Sequence, residues 1–318
     1  MQYYLLLIAG FIILLFSGNY LIKASVSLAN RYKVSRLVIG ITLVSFGTSA
    51  PELFVSVIAA IQKQSEISVG NIVGSNIANI ALVLALTAII FPIPVRSNAV
   101  RFDWPVMMIA SILFYVFILN GFLKFWEGLV FIVFLNAYLF FSLYYSRKNF
   151  DFESEKKIQA HFSLALALII IFISIIGLAA GSYLLVNNAA EIAGMLGIEK
   201  RVISISVIAF GTSVPELATS MIAAFRKEMD ISIGNIIGSN IFNILGVLGI
   251  ASIITPISIV KEIGLKIDIL WMLGISVLFF LFILPVKGGK LTRLKGIILF
   301  AVYCFYIYWL FMKTPVQK

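Results

Sequence analysis

The sequence is poor in charge, histidine and cysteine. Only 12% of its 318 residues are Asp, Glu, Lys or Arg, while 61% are hydrophobic and the mean hydropathy is +1.08. Soluble domains are about a quarter charged and about half apolar, so a water-soluble globule is excluded. One histidine, His161, and one cysteine, Cys304, cannot supply a histidine-based metal centre, a Ser-His-Asp triad or an intrachain disulfide. Cys304 lies in an apolar run and reads as a small buried hydrophobe. Gly-x-Ser-x-Gly, His-Glu-x-x-His and a membrane aspartate dyad are all missing, which leaves an intramembrane hydrolase without machinery. The excess of 24 Lys and Arg over 14 Asp and Glu is scattered through short loops and forms no stripe for nucleic acid.

What is present is a series of long apolar runs. A bilayer-crossing helix takes about 20 such residues, and continuous apolarity favours helices over the alternating strands of a β-barrel. The expected fold is all-α and polytopic, with ten transmembrane helices near residues 3–22, 37–61, 68–92, 102–121, 124–146, 163–186, 201–225, 232–255, 266–286 and 294–312. The first run lacks a basic n-region and a small-residue cleavage site, so it reads as a retained helix. Residues 147–162, the most polar stretch, read as a linker between a first five-helix unit, 1–146, and a second, 163–318. Lys156 and Lys157 within it read as part of a solvated loop, and Trp104, Trp126 and Trp309 as interfacial anchors.

The two units repeat each other. With an offset of 164, residues 42–93 and 206–257 match without a gap at 29 of 52 positions. The strongest blocks set Phe46–Leu53 over Phe210–Leu217 and Gly70–Ile80 over Gly234–Ile244. Apolar composition alone would not keep the polar residues in register. From Glu52 to Glu216 the chain crosses the membrane an odd number of times, so the repeats point in opposite directions. With both termini outside, sixteen of the 24 basic residues fall on the inner side, as the positive-inside bias requires.

Among the acidic residues, only Glu52 and Glu216 fall well inside predicted spans; Asp103 and Asp268 are placed at span ends. A charge at mid-bilayer costs about 2.5–3.5 kcal/mol even on the lower scales, which disfavours a packing role for two of them at equivalent positions. No span-centre Lys or Arg pairs with them, which points to a bound cation or a proton. Thr48, Glu52 and Ser56 share one helix face, as do Asn71, Ser75 and Asn79, and both stripes recur as Thr212, Glu216, Ser220 and Asn235, Ser239, Asn243. Pro51 and Gly47, like Pro215 and Gly211, interrupt the helix beside the glutamates and free backbone carbonyls there. Glycines 70, 74, 234 and 238 have the small-xxx-small spacing of close helix contact. Together the four segments make an all-oxygen cage suited to Ca²⁺ or Na⁺, less to Mg²⁺, and without a soft donor for zinc or copper. Ser56 and Ser220 read as structural, bonded to their own i−4 carbonyls. Asn71 and Asn235 fit either a ligand or an interhelical tie.

At these residues the chain resembles the cation/calcium exchanger superfamily, in its sodium/calcium exchanger branch of prokaryotic type. The blocks Gly-Thr-Ser-x-Pro-Glu and Gly-Asn-x-x-Gly-Ser-Asn, each present twice, carry the likeness. The resemblance implies two inverted five-helix repeats in a prokaryotic cell (inner) membrane, and Ca²⁺ and Na⁺ as transported ions with no cofactor. It implies Glu52 and Glu216 as central carboxylates, and carbonyl and hydroxyl oxygens from Thr48 and Thr212. Hydroxyls of Ser49, Ser213, Ser75 and Ser239 and carbonyls of Ser45 and Ala209 would serve flanking Na⁺ sites. Asn79 and Asn243 would line the centre, and the first and sixth helices would slide across a rigid core. Some members carry Asp where this chain has Asn243, so this cage holds two formal charges where theirs holds three, which weakens a case for K⁺ co-transport.

Two carboxylates balance one Ca²⁺, and three Na⁺, the ratio the resemblance implies, leave one positive charge over; the exchange is therefore expected to be electrogenic. Proton/calcium exchange is the alternative, less favoured because its branch carries a further glutamate in the Gly-Asn helix. A cation channel is the remaining rival. Nothing in the sequence points to a protein partner.

Overall fold

The computed structural model describes residues 2–95, 98–148, 162–197, 211–258, 263–284 and 289–313. In chain order the helices are α1 (Gln2–Tyr32), α2 (Arg36–Thr48), α3 (Ala50–Ile61), α4 (Ser65–Ile90), α5 (Ala99–Asn120), α6 (Phe125–Lys148), α7 (Leu164–Met195), α8 (Val214–Phe225), α9 (Met229–Ile254), α10 (Ile263–Ile283) and α11 (Arg293–Lys313). Eight of these are long and apolar enough to cross a membrane; α2 and α3, bent by 48°, make a ninth if counted as one span. The predicted span 201–225 is described only from Gly211 onward, and the linker 149–161 with Lys156, Lys157 and His161 lies outside the described residues.

Helices α4 and α9 occupy the centre. Their apolar windows are 83% buried, against 17–39% for the other spans, whose outer faces carry exposed Phe, Leu and Ile suited to lipid. Around them, the break between α2 and α3 falls where Pro51 denies an N–H to the Gly47 carbonyl: Ser49 leaves the helix at φ −82°, ψ 4°. Ser213, ahead of Pro215, has almost the same backbone at φ −85°, ψ 1°. Periodicity does not reveal the wide π-helical turns over Gly40–Val44, Asn79–Leu84, Ala99–Asp103 and Phe242–Leu248.

Repeat-equivalent parts meet reciprocally. Strand β1 (Ile93–Pro94) pairs antiparallel with β4 (Lys290–Leu291), and β2 (Phe122–Leu123) with β3 (Ile257–Ser258). Since residues 93–94 align with 257–258, each half lends one strand to the other's clasp. Helices α1 and α7 lie against each other on small residues: a Cβ on Gly10 would sit 2.8 Å from the Gly181 carbonyl oxygen, and one on Gly181 would sit 3.0 Å from that of Gly10.

Three expectations change. Cys304 is exposed on the outer face of α11, where the surrounding apolar medium is lipid and not protein. Trp104 is a tie between helices, not an anchor: its Nε1 donates to the Ser276 carbonyl at 2.9 Å and its ring stacks on Phe280 at 4.0 Å. Asp103 and Asp268 lie within α5 and α10. Asp103 is buried and accepts a 2.9 Å hydrogen bond from Tyr138, so buried acid is not confined to the two glutamates; Asp268, partly buried, meets Tyr306.

Candidate cation site

Glu52 stands in the first turn of α3 and Glu216 in the first turn of α8, each directly after the proline break. A helix N-terminus presents unpaired N–H groups and a partial positive charge, which favours a carboxylate there. Both side chains are fully buried, and each lies within reach of the other half: Glu52 faces Glu216, and Glu216 faces Thr48 and Ser49. Ser239 Oγ donates to Glu216 Oε1 at 3.5 Å.

The polar residues around the glutamates form a network that crosses between the halves. Thr48 Oγ1 donates to Asn235 Oδ1 at 3.1 Å, and Thr212 Oγ1 to Asn71 Oδ1 at 3.4 Å. Thr48 meets Ser239 at 3.3 Å, and Thr212 meets Ser75 at 3.0 Å. Asn71 Nδ2 donates to Ser56 Oγ at 3.0 Å, and Asn235 Nδ2 to Ser220 Oγ at 3.1 Å. Ser56 and Ser220 therefore receive neighbouring helices and do not turn back on their own i−4 carbonyls, and Asn71 and Asn235 are interhelical ties. These six contacts pair off between the halves at the repeat offset of 164, whereas the Ser239–Glu216 bond has no Ser75–Glu52 counterpart.

Seven buried oxygens on residues expected at the site have no hydrogen-bond partner: both carboxylate oxygens of Glu52, Oε2 of Glu216, Oγ of Ser49 and Ser213, and Oδ1 of Asn79 and Asn243. Leaving one such atom bare costs about 1–3 kcal/mol, more if it is charged, and folded proteins rarely do so. Unpartnered oxygens on residues that include two buried carboxylates fit a hard cation. Among the described residues no three His, Cys, Asp or Glu side chains gather, so the site's formal charge is that of its two glutamates.

Of the residues expected at the site, Thr48, Ser49, Glu52, Ser75, Thr212, Glu216 and Ser239 are joined by contacts, and Asn79, Ser213 and Asn243 are buried with one oxygen each left unpartnered. The Ser45 carbonyl remains inside the helix, accepting from Ser49 N at 2.9 Å and from Thr48 Oγ1 at 3.3 Å, and its hydroxyl donates to the Ile41 carbonyl. Ala209 lies outside the described residues. Sequence reasoning passed over Asn76 and Asn240, which join α4 to α9 beside Asn79 and Asn243. Their identity in the repeat was the available signal; their place one residue off the polar stripe hid it.

Buried spans, broken helices and a buried polar network around two carboxylates define a polytopic membrane protein. A sequence profile described as sodium/calcium exchanger protein matches residues 2–144 and 166–312, and the chain belongs to that family. Inner membrane protein YrbG of Escherichia coli (strain K12) is 33% identical over 316 residues, spanning 96% of each chain. Sodium/calcium exchanger MaX1 of Methanosarcina acetivorans is 30% identical over 351 aligned positions, covering 97% of this chain and 98% of that one. The solved sodium-calcium exchanger NCX_Mj, soaked with zero Na⁺ and Ca²⁺, superposes with a TM-score of 0.82 at 32% identity, over 96% of this chain and 97% of that one. By family, then, this is an integral multi-pass cation/Ca²⁺ antiporter, a transporter.

Proposed function

We propose that the chain exchanges Na⁺ for Ca²⁺ by alternating access, with both ions competing for one cage around Glu52 and Glu216. The seven unpartnered oxygens, those of two buried glutamates among them, carry this reading. In it, Glu52 and Glu216 neutralise Ca²⁺, while Thr48, Ser49, Thr212, Ser213, Ser75, Ser239 and the Ala209 carbonyl complete the Na⁺ positions; the Ser45 carbonyl would join them only on giving up its bonds from Ser49 N and Thr48 Oγ1. Asn79 and Asn243 line the centre. The likeness to MaX1 and NCX_Mj, both sodium/calcium exchangers by name, favours sodium over protons as the driving ion.

The wider architecture follows from the same reading. Residues 1–146 and 163–318 form two inverted five-helix repeats, ten spans in all, joined by 147–162; the reciprocal strands and hydrogen bonds support it. Both termini face outward from a prokaryotic inner membrane, with the basic loops inside. Helices α1 and α7, packed on Gly10 and Gly181, move as one body across the core and expose the cage to each side in turn. An empty cage carries two uncompensated charges and resists occlusion, which couples the two fluxes.

Imposed voltage tests this proposal. Moving one net charge gains about 2.3 kcal/mol per 100 mV. In proteoliposomes loaded with Na⁺, an inside-positive potential set by valinomycin and a K⁺ gradient should speed Ca²⁺ uptake, and an inside-negative one should slow it. Uptake indifferent to voltage contradicts electrogenic exchange. Uptake that follows a pH gradient in the absence of Na⁺ moves the protein to proton/calcium exchange.

A further inference from the structure

We propose that Asn76 and Asn240 are positioning residues that hold the carbonyl oxygens of Asn79 and Asn243 toward the cation. The inference rests on the cation-site reading and adds to it how the central amides are oriented.

The two ends of an asparagine amide are nearly the same size, so hydrogen bonding decides which end faces a ligand. Here the decision starts at two backbone carbonyls, which can only accept. Asn76 Nδ2 lies 3.3 Å from the Asn240 carbonyl oxygen, and Asn240 Nδ2 lies 3.3 Å from that of Asn76. Sulfur atoms of Met272 and Met107, weak acceptors at 3.7 Å, back the same nitrogens. The nitrogen end of each amide is thereby fixed, and with it the oxygen end. Asn76 Oδ1 lies 3.0 Å from Asn243 Nδ2, and Asn240 Oδ1 lies 3.0 Å from Asn79 Nδ2. An oxygen that only accepts must face an N–H, so Asn79 and Asn243 turn their nitrogens to the clamp and their oxygens away from it. Those oxygens are the two Oδ1 atoms left buried without a hydrogen-bond partner. All four residues are 0–1% exposed, so water does not compete for the bonds. Each clamp reaches across the molecule, α4 orienting a residue of α9 and α9 one of α4. Without its clamp, a central amide is free to turn an N–H toward the ion.

The clamp matters only while the residue it holds has two different ends. Equilibrium ⁴⁵Ca²⁺ binding to the purified full-length protein should be measured for the native chain, Asn76→Ala, Asn243→Asp and the double variant. On the native background Asn76→Ala should weaken Ca²⁺ binding by about tenfold, the scale of one lost ion–dipole contact. With Asn243→Asp, whose terminal atoms are both oxygens, the same Asn76→Ala change should cause no further weakening. If Asn76→Ala weakens binding equally on both backgrounds, Asn76 acts through packing and the positioning role is overturned. If the Asn76 variants do not fold, the mirror cycle of Asn240→Ala with Asn79→Asp carries the same expectation. A native protein that binds no Ca²⁺ overturns the cation site and this inference together. Native binding with additive losses overturns the positioning role alone.

Discussion

Arg36 Nη1 lies 2.5 Å from Glu228 Oε2, with both side chains less than a tenth exposed. The pair joins the first turn of α2 to the residue ahead of α9, 192 positions away. At the repeat-equivalent positions stand Gln64 and Lys200, which cannot form an ion pair. The tie therefore breaks the symmetry of the two halves.

Removing one partner of a buried pair strands the other, at a cost of about 3–5 kcal/mol, whereas apolar replacement of both is often neutral. Glu228→Gln should therefore lower the thermal unfolding midpoint in detergent by several degrees. Arg36→Met combined with Glu228→Met should recover most of the loss. A double variant no more stable than Glu228→Gln would show that the pair does not act as a unit.

The contact between α1 and α7 is set by backbone approach, so it should not tolerate a methyl group. Gly10→Ala puts a Cβ 2.7 Å from the Leu185 nitrogen and should destabilise by about 1–3 kcal/mol, as overpacking does. Gly274→Ala, where a Cβ meets nothing within 4 Å, is the control and should be neutral or stabilising. Unfolding midpoints of the two variants check this; equal midpoints would remove the close packing from the account.

Tyr138 donates to Asp103 between α6 and α5, neither of which carries an oxygen of the cage. Tyr138→Phe strands a buried acceptor and should cost about 1–3 kcal/mol of stability. Ca²⁺ affinity should not change. A fall in affinity with intact stability would place Asp103 in the transport chemistry.

Much of this was legible because polar side chains stand out within apolar helices. The stripes Thr48–Glu52–Ser56 and Asn71–Ser75–Asn79, read twice at one offset, mark the candidate site in the sequence. The kink at Ser49 followed from Pro51, which cannot donate to Gly47. A 3.6-residue period, however, is blind to the π-helical turns that begin at Asn79 and Phe242. It also misplaced Asn76, whose side chain lies about 100° around the helix from Ser75 and meets the opposite half. The Asp103–Tyr138 tie was hidden for a different reason. Its acid sits one turn inside a helix end, where a loop position and a buried one look alike in sequence.

The most direct test of the central claim is ⁴⁵Ca²⁺ uptake into proteoliposomes loaded with Na⁺, K⁺ or choline at equal internal and external pH. The native protein should run beside Glu52→Gln and Glu216→Gln. Native uptake should require internal Na⁺, and each glutamine variant should abolish it, since one carboxylate no longer balances Ca²⁺. Na⁺-driven uptake at the native rate in either variant would contradict a cage built on both glutamates.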